Sequence, residues 1–128
     1  MRKTIHIEGR DIDLVLDGRA PILYRTMFGR DYFRDLQEVI PEHEGEELSN
    51  TTKLYDFLYF MAFTADDSIG SELEWLESFD NALSFFDREN EDKKSAFDYL
   101  AEMIAGNNMA FVKDHKKKAV KNPKKIES

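Results

Sequence analysis

The chain has 128 residues, no cysteine and a net charge of −8. One modest domain fits that length, and the missing cysteines exclude both a disulfide framework and a thiolate metal site. The charge is lopsided: Lys113 to Ser128 carries +5 of a chain totalling −8, leaving −13 on residues 1–112. Such an acidic body repels nucleic acid phosphates. We therefore read residues 1–112 as one domain and 113–128 as a separate, basic, solvated tail. The first residues lack an apolar signal segment. The longest apolar run is shorter than the roughly 20 residues a membrane-spanning helix needs. A protein of the cytoplasm is the expectation.

Residues 4–8 alternate apolar and polar, and so do 11–17. Period two is the strand signal. Ile5 and Ile7 face one way, and Ile12, Leu14 and Leu16 can meet them across a turn at Glu8 to Asp11. A β-hairpin is predicted, with Gly9 free to take positive φ. Two strands alone are marginal in water, so their apolar face must lie on helices or extend a second copy's sheet.

Pro21 suits the first turn of a helix, where its missing N–H costs nothing. That helix carries Ile22, Leu23, Met27 and Phe28 and is interrupted at Gly29. Asp31 is a good cap for a second helix with Tyr32, Phe33, Leu36, Val39 and Ile40 at helical spacing, ended by Pro41. Residues 42–50 are acidic and turn-rich and read as a loop.

Thr51 to Asp66 organises the rest. Leu54, Phe57, Leu58, Met61, Ala62 and Ala65 form one apolar face, and Tyr55, Tyr59 and Phe63 form a second stripe beside it. A helix apolar nearly all round is buried in its own fold or against a partner. Both stripes exceed what one small helical domain is expected to cover. We therefore expect Tyr55, Tyr59 and Phe63 to face another protein, since tyrosine is apolar along the ring and wet at the hydroxyl.

Ser71-x-x-Glu74 matches a capping box. The helix it opens is expected to run through Leu73, Leu76, Phe79, Leu83 and Phe86 and end at Arg88 to Asn90. A last helix is expected over 91–105, through Phe97, Leu100, Ala101 and Ile104, with C-cap chemistry at Gly106 to Asn108 and a short apolar coda at Met109, Phe111 and Val112. The predicted class is α+β, mainly α: an N-terminal hairpin followed by a bundle of four to five helices.

Catalytic and metal chemistry find little support. His6, His43 and His115 fall in a strand, a loop and the tail, without ligand spacing. The carboxylates at Asp66, Asp67, Glu72, Glu74 and Glu77 suit helix N-termini and solvated faces. Asp11-x-Asp13 lacks the later glycine and glutamate of a calcium loop. No glycine-rich phosphate cradle is present. The sequence points to a non-enzyme with no cofactor, no catalytic residue and no metal.

The distinctive stretch is Tyr24-Arg25-Thr26-Met27-Phe28-Gly29-Arg30-Asp31. With the Ile-x-Ile-x-Gly hairpin before it and the aromatic helix after it, the chain resembles the tail assembly chaperones of long-tailed bacteriophages and prophages of Gram-positive bacteria. The likeness covers roughly residues 4–105. It extends to the Leu-rich helix at Leu54 to Ala65 and the acid-flanked aromatic helix at Glu72 to Leu83. It implies a protein that coats the long, aggregation-prone tape measure protein until tail tube subunits polymerise around it, and then stays out of the mature virion. It also implies self-association, and a longer frameshifted product, for which the lysines at 116–118 and 124–125 supply A-rich codons. The Arg25, Arg30 and Asp31 charges are read as capping and bridging a broken helix. Two other readings remain open: an acidic DNA mimic that blocks a host protein, and a small structural connector of the tail.

Overall fold

The computed structural model describes residues 1–40, 50–88 and 90–107. The expected loop at 42–49, His43, His115, the coda at Met109, Phe111 and Val112, and the basic tail lie outside the described residues. Among the described residues, a two-stranded antiparallel hairpin leads into five α-helices. The strands are β1 (Arg2–Ile7) and β2 (Arg10–Val15), and the helices are α1 (Ala20–Phe28), α2 (Tyr32–Val39), α3 (Thr51–Ala65), α4 (Glu72–Glu77) and α5 (Ala96–Asn107). Short 3-10 turns occupy Asp67–Ile69 and Ala82–Phe86.

The hairpin closes tightly. Ile7 pairs with Arg10, so only Glu8 and Gly9 form the turn. Both have positive φ, 54° and 73°, the signature of the two-residue turn whose twist matches paired strands. Ile5, Ile7, Ile12 and Leu14 face inward and are buried. Arg2, Thr4, His6, Asp11 and Asp13 line the outer face, with Arg2 and Thr4 bonded to Asp13 and His6 to Asp11. The inner face lies on the helices, β2 chiefly against α3 and β1 against α5.

Glu8 ties the hairpin to the far end of the chain. Its carboxylate accepts the N–H groups of Asp80 and Asn81 and the Ser84 hydroxyl, and these bonds lower its pKa. That clasp falls where the predicted helix from 72 to 86 breaks. α4 stops at Glu77, and the chain restarts as a 3-10 turn with the Asn81 side chain accepting the Leu83 N–H. One helix through 86 would bury these N–H groups in its own ladder and leave Glu8 nothing to bind. The break also turns the expected stripe: Phe79 is buried, whereas Leu73, Leu83 and Phe86 face solvent.

The last helix starts later than periodicity implies, at Ala96, because Ser95 and Asp98 form a second capping box, each bonding the other's N–H. The Asn90 side chain holds the loop before it against the sheet edge by accepting the His6 N–H.

α3 runs through the centre and has aromatic neighbours on both sides. On one side Phe57 stacks on Tyr24 from α1 at 5.0 Å, with Phe60 and Tyr32 edge-on to that ring. On the other, Tyr55 meets Phe85 and Phe97 edge-on, each at 5.3 Å, and Tyr59 meets Trp75 at 5.9 Å. Leu58 and Met61 between these sides are fully buried. Leu58→Ala is expected to cost about 2–5 kcal/mol, read as a lower urea midpoint, whereas Leu83→Ala at the exposed turn should stay within about 0.5 kcal/mol.

Candidate functional site

The Tyr-Arg-Thr-Met-Phe-Gly-Arg-Asp stretch forms the joint between α1 and α2, and each of its last three residues has a separate task. Gly29 ends α1 in the left-handed region at φ 70°, its N–H bonded to Arg25 O at 2.7 Å. Asp31 starts α2, its side chain accepting the Arg34 N–H at 2.9 Å. Between them the chain aims Arg30 back into the fold.

There the Arg30 guanidinium bridges two carboxylates from different helices. Its Nε meets Asp35 of α2 at 2.7 Å and its Nη2 meets Asp56 of α3 at 2.7 Å. Both aspartates are buried. The Tyr24 hydroxyl donates to the same Asp35 oxygen at 2.6 Å, and Lys53 reaches the other at 2.9 Å while also pairing with Glu38 at 2.6 Å. The guanidinium also lies against the Phe28 ring, 5.0 Å from its centroid. This matches the bridging and capping reading of Arg30 and Asp31.

The network sets its own protonation. Burial pushes the Asp35 carboxyl up, but hydrogen bonds from Arg30, Tyr24 and Lys53 outweigh it and bring it down to about 2. Burial and the Asp35 bond together raise the Tyr24 phenol well above its usual range. Asp35 therefore stays an anion and Tyr24 a neutral donor through the physiological range. An open cleft of about 380 Å³ borders the network, lined by Arg25, Arg30, Arg34, Asp35, Glu38 and Lys53.

The network continues under α4. Glu72, its first residue, has its carboxyl within hydrogen-bonding reach of Asp56. Glu72 Oε2 is buried and meets no donor among the described residues. A carboxylate here suits a solvated helix start, and no sequence signal links it to Asp56, sixteen positions earlier.

The second stripe of α3, expected to face a partner, packs largely within the chain: Tyr59 is buried, and Tyr55 and Phe63 are partly covered. Tyr59 is 4 % exposed, and its hydroxyl donates to Gly70 O. Tyr55 is half-buried between Phe85 and Phe97, its hydroxyl donating to Ala82 O at 3.1 Å. Phe63 packs against the core beside Tyr59. The reason is the broken helix: α4 and the 82–86 turn fold down as two short pieces and cover a wider strip of α3 than one straight helix would. Leu73, Leu83 and Phe86 on those covering pieces are exposed, as are Met1, Ile22 on α1 and Phe33 on α2.

Among the described residues no group of three or more His, Cys, Asp or Glu side chains is placed to hold a metal ion, and no helix is long and apolar enough to cross a membrane. Compared with protein-family models, with curated proteins and with solved structures, the chain matches none.

Removing Arg30 strands two buried carboxylates. Arg30→Ala is expected to destabilise the fold by about 2–3 kcal/mol, below the ~3–5 of a fully enclosed pair because 39 % of its side chain meets solvent. Chemical denaturation of variant and wild type measures it. Because Asp35 is held at about 2, below its ordinary 3.8, its contribution is present above that ordinary value and lost as pH falls toward 2. Asp35→Asn should flatten this acid limb of the stability profile.

Proposed function

We propose that this protein is a tail assembly chaperone that binds and solubilises a phage tape measure protein during tail morphogenesis, without catalysis. One observation carries the reading. A chain of net charge −8 leaves Leu73, Leu83 and Phe86 exposed at 78, 64 and 49 %. Leu83 and Phe86 lie three residues apart in a 3-10 turn, where such side chains eclipse and share a face. Phe86 stands on Phe97 at 4.9 Å, so its ring is propped outward on a rigid base.

The physics suits a coat. Complete burial of one such side chain contributes roughly 1.5–3 kcal/mol, and contact by a small patch yields only part of that. A few contacts per copy hold weakly, so the chaperone releases when tube subunits compete. Many copies along a long helical partner together keep it covered. The surplus negative charge keeps the coated complex soluble. The likeness of Tyr24 to Asp31 and its flanking elements to the tail assembly chaperones supplies the identity of the partner. The proposed place of action is the bacterial host cytoplasm, with the protein absent from finished virions.

Co-expression with the tape measure protein tests this. Wild type should keep the partner in the soluble fraction. Leu83→Glu with Phe86→Glu should melt like wild type yet leave most of the partner insoluble. A folded double variant that solubilises the partner fully would place the contact surface elsewhere. Tyr59→Glu should instead lower the melting temperature, since it charges a buried ring.

A further inference from the structure

The carboxyl pair beneath α4 is an unusual thing to bury. Glu72 and Asp56 are both acceptors when ionised, and Glu72 Oε2 is enclosed with no donor among the described residues. Two facing acceptors form a hydrogen bond only if one of them holds a proton. Asp56 already has the Arg30 guanidinium at 2.7 Å, whereas Glu72 has no ion pair among the described residues. A proton shared by the pair would belong on Glu72, with Asp56 as the acceptor.

What this bond holds down is short and heavily loaded. α4 is six residues long and carries the chain's single tryptophan, Trp75, 3 % exposed among Tyr59, Phe79 and Phe85. It starts just after Gly70, whose φ of 85° favours glycine, and it stops at the break before Asp80. Among the described residues, this segment is also tied down by the Trp75 contact with Tyr59, by the Tyr59 hydroxyl on Gly70 O, and by Ile69 and Leu76 packed against the core.

We propose that α4 is a proton-latched lid, closed by a neutral Glu72 donating to Asp56 and released when that proton leaves for solvent. The inference is independent of the chaperone reading. Among the described residues, the charged and titratable groups that act on Glu72 are Asp56 and Tyr59 from α3 and Arg30 from the α1–α2 joint, and Glu74 on α4 itself acts on the same Tyr59. Arg30 is the cation among them, and it is already shared with Asp35. Ionised Glu72 would thus face Asp56 with no guanidinium of its own, and swinging α4 outward relieves the repulsion.

The direction with pH follows from linkage. Burial, then the Asp56 bond and charge, raise the Glu72 carboxyl from its ordinary 4.5 to about 8 in the closed form. An open lid returns it to the ordinary range. The closed form holds the proton more tightly, so each pH unit between those values favours opening by about tenfold, and none does outside them.

Trp75 reports the lid directly. In the wild-type protein its fluorescence should shift to longer wavelength as pH rises from 5 toward about 8 and level off above, while far-UV circular dichroism holds. Glu72→Gln keeps a neutral donor to Asp56 and should stay blue-shifted at every pH. Asp56→Asn, whose amide can donate to an ionised Glu72, should flatten the titration as well. An emission maximum that does not move in wild type overturns the proposal. So does the same shift in Glu72→Gln, or a shift that coincides with loss of helical signal.

Discussion

One guanidinium fixes how the helices meet. Arg30 leaves the main chain between a helix-ending glycine and a helix-starting aspartate and reaches carboxylates on α2 and α3 at once. Either carboxylate buried alone would be expensive to desolvate. Together with Arg30, Lys53 and the Tyr24 hydroxyl, the oxygens of Asp35 are hydrogen-bonded. Such a network adds little net stability over an apolar filling, but it penalises any other arrangement of the same helices. Asp56 then extends the constraint across α3 to Glu72 under α4, so the α1–α2 joint and the second half of the chain share one chain of contacts.

The same central helix explains why so small a protein carries ten phenylalanines and five tyrosines. α3 separates two aromatic clusters, one built on Tyr24, Phe57 and Phe60 and one on Tyr59, Trp75 and Phe85. A helix in that position must be apolar on both sides. Its all-round greasiness is therefore structural. On its covering, Leu73, Leu83 and Phe86 stand out of the fold.

Local chemistry was legible in the residues, and long-range pairing was not. The hairpin, the helix-ending Gly29, the caps at Asp31 and Ser71 and the buried face through Leu58 all follow from periodicity and capping rules that operate over a few positions. The break after Glu77 is hidden in the sequence because apolar spacing runs on through Leu83 and Phe86. The Asn81 side chain caps the restart by accepting the Leu83 N–H, and its own N–H is held by Glu8, more than seventy residues away. The late start of α5 had a local signal, Ser95-x-x-Asp98, which the apolar spacing of 91–105 overrode. The sequence marks Arg30 as a bridging charge, yet its two partners and Glu72 beyond them depend on which helices pack together. The packing of Tyr55 and Tyr59 within the fold follows from the same break.

Arg30 and Asp56 therefore act as one unit linking the α1–α2 joint to α3. A double-mutant cycle isolates that term: Arg30→Met, Asp56→Leu and the double variant, each unfolded in urea. If the pair is a unit, the double variant will be more stable than the two single losses add up to, by about 1–3 kcal/mol. Additivity within about 0.5 kcal/mol would show the two side chains to be independent and contradict the account.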